Sequence, residues 1–413
     1  MSTVGIVVEY NPLHNGHLYH LQQSRKITGA DSVVAVMSGD FLQRGEPAMA
    51  SKWARAEMAL LAGCDLVLEL PVAYSAQPAQ WFAFGAVAVL SATGVVDSLC
   101  FGSESGDVES LSQVAALLAD EPPAFAAELA SRLKQGLPYP TAFAAAAETY
   151  LQGQGLSHLA FSLEQPNHTL GLHYLIALRK LGSRIIPYSL RREKSAYGQT
   201  DITDVRIASA TALRKLLLGE SGSLDELAPY VPETTLCVLR REFAAGRAPL
   251  HWEHYARPLF HRLFESDTVR LGSYAEVTEG LEHRIRGVLP ELTELSVAAL
   301  LEALKTKRYT RTKLQRTLLR ILLGHDKALL APDKLATGVQ YLRVLGFTER
   351  GRKLLGAMRK AATVPVVDSA ARGDWPYLAL DARASATYAL AYREASPADA
   401  LLDYTKPPIQ VRG

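Results

Sequence analysis

Gly5-Ile-Val-Val-Glu-Tyr-Asn-Pro-Leu-His-Asn-Gly-His-Leu-Tyr-His20 decides how the rest of this chain is read. The apolar run Val4 to Val8 is short enough for a buried strand; the chain then turns through Glu9-Tyr10-Asn11-Pro12, and His14-Asn15-Gly16-His17 opens a helix. Proline has no N–H to continue a ladder, and Gly16 lets the backbone approach a ligand closely. The free N–H groups and the dipole of a helix start favour an anion, and His14 and His17 can add donors on the same side, so the turn is expected to hold a phosphate. Two histidines three apart also suit a polar helix edge or a metal pair. Zinc, however, wants three or four ligands and only His20 is near, while the Gly-x-Gly-x-x-Gly of a dinucleotide fold is missing.

With 413 residues, 48% of them hydrophobic, the chain can bury a full core and is expected to form two domains. Cys64, Cys100 and Cys237 form no Cys-x-x-Cys and are odd in number, which argues against a disulfide framework or a zinc ribbon and for a reducing compartment. No signal peptide precedes the first strand. The longest uncharged run, Trp81 to Val96, is too short and too rich in small residues to span a bilayer, so a cytoplasmic protein with no membrane partner is expected. The net charge of +2 hides an asymmetry: residues 301–360 hold 15 Lys plus Arg against 4 Asp plus Glu, leaving −9 for the remainder. Such a stretch is either a solvated helix face or the footprint of a polyanion such as RNA.

Strand and helix alternate from the start. After a helix from Asn15 to Thr28, Ser32–Met37 reads as a second strand, followed by the polar loop Ser38–Pro47. Open α/β sheets place ligands at such strand ends, so Asp40, Gln43 and Arg44 are candidates for the site floor, against the alternative of an ordinary surface loop. A helix over Ala50–Leu61 carries Lys52 and Arg55; Asp65–Leu70, a helix over 78–92 and a strand over Val95–Phe101 complete the pattern of a doubly wound, mostly parallel sheet. Asn167 sits at the entrance of an apolar-periodic helix, as an N-cap or as a ligand. A strand over Arg184–Ser189 leads to Arg191 and Arg192, which could clamp phosphates by bidentate contacts. Ser209 or Thr211 opens the next helix.

The sheet domain is expected to end near residue 220, and 221–413 to be all-helical. His251, His254 and His261 find no further ligand at metal spacing, and no protein-held metal is expected. In Lys313–Leu323, Leu314, Leu318 and Ile321 share one face, with Arg316 and Arg320 on another. Arg308, Arg311, Lys313, Arg350, Arg352 and Lys353 extend the charge, with Tyr309 and Phe347 available to stack on bases.

Pro12-Leu-His-Asn-Gly-His17 resembles the Pro-x-His-x-Gly-His signature of the nucleotidyltransferase superfamily, and Ala208-Ser-Ala-Thr-Ala-Leu-Arg214 its second signature, usually Ser-Ser-Thr-x-Ile-Arg. Ser38–Pro47, Asp65–Pro71, Phe101-Gly-Ser-Glu104 and Tyr309-Thr-Arg-Thr-Lys-Leu-Gln-Arg316 extend the likeness to the bacterial tRNA(Met) cytidine acetate ligase family. That resemblance implies a Rossmann-like nucleotidyltransferase domain over 1–220 and a basic tRNA-binding domain over 221–413. It implies ATP as substrate, arriving with Mg²⁺, with acetate and elongator tRNA(Met) as partners and N4-acetylcytidine as product. The implied ATP site is Val7, Val8, Glu9, Tyr10, Asn11, Pro12, Leu13, His14, Asn15, Gly16, His17, Leu18, Tyr19 and His20, with Gly102, Asn167 and Arg192, and Ser209 and Thr211 from the second signature. His14 and His17 would stabilise charge moving onto pyrophosphate, and Asp40, a strand-end carboxylate, would accept the amine proton. Two rivals share these motifs: a nucleotidyltransferase for a small phosphorylated metabolite, and a nucleotide-sensing RNA-binding adaptor without chemistry.

Overall fold

Val4, Ile6, Val33 to Met37 and Leu66 to Leu68 are all fully buried, which happens only to strands covered on both faces. The computed structural model describes residues 2–412 apart from 160–162, 164, 192–208 and 219–221. In it β1 (Thr3–Val8), β2 (Ser32–Ser38), β3 (Leu66–Leu70), β4 (Ser98–Ser103) and β5 (Ile186–Arg191) form parallel ladders in the order β5-β4-β1-β2-β3. β1 registers Thr3 opposite Ser32 on one side and Gly5 opposite Leu99 on the other. The chain therefore winds outward from β1 to β3 and then crosses back to lay β4 on the other flank of β1. The carboxyl ends of β1 and β4 flank the point where the winding reverses, and there an open α/β sheet leaves a crevice.

The opening helix runs from Asn15 to Thr28, as expected, and ends at Gly29 in the left-handed region (φ 63°). β4 starts at Ser98 rather than Val95 because Gly94 (φ 65°) makes a turn first and the Asp97 carboxylate then accepts the Thr3 N–H at 2.8 Å.

The stretch after residue 221 is mostly helical, as expected, but it also adds three strands to the same sheet. β6 (Leu342–Thr348) runs antiparallel beside β3, and β7 (Val366–Val367) and β8 (Ile409–Val411) pair with β6. Arg343 hides this strand from a sequence reading, because an arginine inside an apolar run reads as a surface charge; here it is 1% exposed. A single apolar cluster extends from Val34 and Leu68 in the sheet to Leu259, Leu318 and Tyr388.

A buried charge cluster seals this junction. The Lys52 ammonium donates to both oxygens of Glu69 (2.7 and 2.9 Å) and to Asp403 Oδ2 (2.7 Å), tying the Lys52–Leu61 helix and β3 to the far end of the chain. Asp381 accepts the Val72 N–H at 2.7 Å and the Tyr341 hydroxyl, and Arg343 donates to the Asp403 carbonyl at 3.0 Å. Burial pushes Glu69 up to about 8 and Asp381 up to about 7, with Lys52 opposing both shifts. Unfolded carboxyls titrate near ~4. Between that value and about 8 the folded chain keeps protons that the unfolded chain has released, so stability present at low pH is lost as pH rises through the folded values. Thermal melts should therefore fall between about pH 7 and about pH 8.5, and Glu69→Gln, which cannot ionise, should flatten that fall; an equal slope in both proteins would contradict the assignment.

Candidate active site

The turn after β1 is built on its own histidines. His14 occupies the N-cap of the opening helix, and its Nδ1 accepts the Gly16 N–H at 3.1 Å; His17 Nδ1 in turn accepts the His14 N–H at 3.4 Å. A ring nitrogen that accepts carries no proton, so in the neutral form both imidazoles bear theirs on Nε2. The rings stack 3.7 Å apart, and Tyr10 packs edge-on to His17 at 5.2 Å. Tyr10 holds φ at 50°, a costly conformation for a bulky side chain, at the point where the chain leaves the strand.

The sequence leads one to expect first-turn N–H groups open to an anion, and the structure corrects this. Asn15 N–H donates to the Tyr230 carbonyl (2.8 Å), Gly16 N–H to the His14 ring, and His17 and Leu18 N–H to the His14 carbonyl (2.9 and 3.0 Å). What the turn keeps for an anion is the helix dipole and the stacked imidazole pair itself.

The remaining residues of this stretch divide between frame and rim. Val8, Pro12 and Leu13 are buried and can meet a ligand only through backbone, Val7 is half-buried in the strand, and Leu18 packs on a second apolar cluster. Asn11 Oδ1 accepts the Met49 N–H (2.7 Å), while its buried Nδ2 has no partner among the described residues. Glu9 takes the Gln43 N–H (2.8 Å) and the Ser38 hydroxyl (3.1 Å), and burial raises its pKa. Asn15 and His20 are half-buried and Tyr19 is exposed.

Arg55, legible in the sequence only as a helix residue, organises the site. It is fully buried and donates to the carbonyls of Ala50 (2.9 Å), Glu9 (2.7 Å), Ser38 (3.0 Å) and Gly39, so one guanidinium pins the ends of β1 and β2 together. Its signal in the sequence is its place among the small and apolar residues of Trp53-Ala-Arg-Ala-Glu-Met58.

Both signatures meet. Ser209 caps the Ala210–Leu217 helix by accepting the Ala212 N–H (3.1 Å), and Arg214 from that helix donates to the Asn11 carbonyl at 3.0 Å and contacts Thr211 Oγ1 at 3.4 Å. Arg214 closes the second signature but is absent from the site that the sequence implies; its role appears only in the fold. On the other flank, β4 brings Gly102 to the crevice, and Glu104 caps the Pro166–Lys180 helix, accepting from the Asn167 N–H (3.1 Å), Asn167 Nδ2 (2.8 Å) and the His168 N–H (2.7 Å). Asn167 is thus not the cap; Glu104 is. Arg192 lies outside the described residues, one position beyond the end of β5.

Asp40 requires a correction. It is 5% exposed, with Oδ1 accepting the Lys52 N–H (2.7 Å) and Oδ2 the Ser385 hydroxyl (2.7 Å), so it clamps the 38–47 loop to the Pro376–Ala389 helix instead of facing the crevice as a base.

Among the basic residues, Arg320 is also corrected. It is fully buried and donates to the carbonyls of Val72 and Ala76, which flanking Leu318-Leu319 and Ile321-Leu322-Leu323 foreshadow. Arg316 is nearly buried against Glu276 (2.9 Å), Lys313 is half-buried on Thr278 (3.0 Å), and Tyr309 is buried with its hydroxyl donating to the Glu279 carbonyl, so it is not available to stack. Arg308, Arg311, Arg350, Arg352 and Lys353 are exposed.

A second turn shows what the first one needs. Pro249-Leu-His-Trp-Glu-His254 repeats Pro12-Leu-His-Asn-Gly-His17, and His251 and His254 make the same reciprocal caps (3.4 and 3.2 Å). In place of Gly16 stands Glu253, whose carboxylate accepts the Val297 and Ala298 N–H groups at 2.9 Å each. Paired histidines at this spacing therefore make a cap by themselves, and the spacing alone does not mark an anion site. Among the described residues no group of three His, Cys, Asp or Glu is placed to hold a metal ion.

A model of the HIGH nucleotidyl transferases matches residues 1–401. The tRNA(Met) cytidine acetate ligase of Acetivibrio thermocellus is 41% identical over 369 residues, 89% of this chain and 88% of that protein, and the one from Caldanaerobacter subterraneus is 40% identical over 399 residues, 95% and 96%. Thermotoga maritima TmcAL bound with alpha-thio ATP superimposes with a TM-score of 0.90 over the full length of both chains, at 36% identity. With its signature turn at the sheet's reversal point and relatives this similar along its length, the chain belongs to the tRNA(Met) cytidine acetate ligase family of the HIGH nucleotidyl transferases.

Proposed function

We propose that this chain joins acetate to ATP and passes the acetyl group to N4 of the wobble cytidine of elongator tRNA(Met). The observation that carries the reading is the stacked His14–His17 pair at the end of β1, the strand that pairs with β4, which carries Gly102 and leads to the Glu104–Asn167 pair. Acetate is a poor electrophile and the exocyclic amine of cytosine a poor nucleophile, so the first difficulty must be removed before the second is met.

An acetate oxygen attacks the α-phosphorus of ATP, the bond to the bridging oxygen breaks, and pyrophosphate leaves with the electron pair. His14 and His17 donate through Nε2 to the phosphate oxygens that gain charge, a task of positioning and electrostatics. Arg214, anchored on the Asn11 carbonyl, holds the second signature against the first. The cytidine amine then attacks the acetyl carbonyl, AMP departs, and the proton lost by nitrogen passes to solvent, since Asp40 is committed elsewhere. Magnesium would accompany ATP and offset the charge of its phosphates, with no cage of protein ligands among the described residues. Arg308, Arg311, Arg350, Arg352 and Lys353 supply exposed charge for the tRNA backbone, and the reaction belongs in the cytoplasm, where tRNA is. No described helix is long and apolar enough to cross a membrane.

The adenylation half-reaction can be tested without RNA. Labelled pyrophosphate should exchange into ATP only when acetate is present; exchange that ignores acetate, or requires a phosphorylated metabolite in its place, would overturn the proposal.

A further inference from the structure

Away from the nucleotide crevice, one concavity gathers cations. A cavity of about 410 Å³ opens at the carboxyl end of the Arg311–Leu323 helix, walled also by the Ala256–Glu265 and Pro376–Ala389 helices, and Arg262, Arg270 and Arg383 line it. All three are exposed. Asp326 is the acid among the lining residues and pairs with Arg270 at 2.9 Å, so three guanidinium groups meet one carboxylate.

Two of the arginines are held from behind. Arg270 lies over the Tyr274 ring at 4.5 Å, and Arg383 Nε donates to the Ala379 carbonyl at 3.2 Å, with its terminal nitrogens unpartnered among the described residues. Arg262 has no ion pair among the described residues. One cation at the end of the Arg311–Leu323 helix would answer the negative pole of the helix dipole; three with a single acid exceed that need.

The position suits a long polyanion. On the Pro376–Ala389 helix, Ser385 and Tyr388 contact the segment after β2 through Asp40 and the Ala48 carbonyl, while Arg383, Ala386 and Thr387 line the cavity. The Arg311–Leu323 helix has 13 residues and so spans ~20 Å, with exposed Arg308 and Arg311 at its start and the cavity at its end.

We propose that the Arg262–Arg270–Arg383 cavity anchors the phosphodiester backbone of the tRNA, outside the site where chemistry occurs. The inference rests on the reading of tRNA as substrate, and it commits the cavity to backbone phosphate. Planar, forked guanidinium groups suit phosphate oxygens better than point charges do.

The test compares the wild-type protein with Arg262→Ala/Arg383→Ala and Arg262→Lys/Arg383→Lys, measuring binding of unmodified elongator tRNA(Met) across a salt series and acetate-dependent pyrophosphate exchange without RNA. The alanine pair should bind tRNA about 10-fold more weakly near 0.1 M salt and lower the slope of log K against log salt by about 2, with exchange unchanged. The lysine pair should recover the salt slope but only part of the affinity. Wild-type affinity and slope in the alanine pair would overturn the proposal while leaving the ligase reading intact. A titration with inorganic phosphate that loses binding in the alanine pair, with tRNA binding unchanged, would overturn it in favour of a small-anion site. Failure of the wild-type protein itself to bind tRNA would overturn it together with the reading on which it rests.

Discussion

His17→Ala is expected to slow acetate-dependent pyrophosphate exchange by about 100- to 1000-fold, the range seen when one donor to a developing oxyanion is removed. The effect follows from where the His17 ring carries its proton. His17 Nδ1 accepts the His14 N–H, so Nε2 carries the hydrogen that can reach an outer phosphate. Alanine keeps the helix, because the Nδ1 hydrogen bond that it removes is long, at 3.4 Å, and the residue is only half-buried. His14→Ala is a less clean probe, since it also removes the N-cap that holds the Gly16 N–H, at a cost of ~1 kcal/mol in stability. Exchange kinetics alongside a thermal melt separate the two effects for His17. A folded His17→Ala protein with exchange within about threefold of wild type would remove the histidine pair from the mechanism.

Above about pH 8, where Glu69 is ionised, Lys52→Ala is expected to destabilise the fold by about 3–5 kcal/mol, because it strands the buried carboxylates of Glu69 and Asp403 without their cation. Lys52 is fully buried and its ammonium makes three hydrogen bonds of 2.9 Å or less, while Asp403 and Glu69 pull its pKa up against the effect of burial. The cluster joins the Lys52–Leu61 helix and β3 to the segment carrying Asp403, so its removal should loosen the attachment of β6 to β8 first. Equilibrium unfolding in urea measures the change. A midpoint indistinguishable from wild type would mean that the apolar cluster alone holds the junction.

β1 and β2 are legible because each is an apolar run closed by a polar loop, and the opening helix because its capping residues stand in the sequence. β6 is not, since burial of Arg343 depends on a partner carbonyl at Asp403, sixty residues away. The same limit applies to the site. His14, His17 and Gly16 announce themselves by spacing, whereas Arg55 acts through four backbone carbonyls, three of them from other elements, and no local pattern encodes that. Asp40 shows the reverse error: a carboxylate at a strand end resembles a base until the Ser385 hydroxyl arrives from the far side of the chain. Charge counting overstates the RNA surface for a related reason, as Arg320 and Arg343 are consumed inside the core. The Pro249–His254 turn adds that a signature is readable only with its glycine.

The central claim is that these residues carry acetate through an adenylate to RNA. Incubating the purified protein with ATP, labelled acetate and unmodified elongator tRNA(Met), then digesting the RNA to nucleosides, tests it most directly. The account predicts labelled N4-acetylcytidine that requires ATP, acetate and an intact His17 together. Labelled acetate remaining outside the RNA, with ATP and intact tRNA present and the wild-type protein folded, would contradict it.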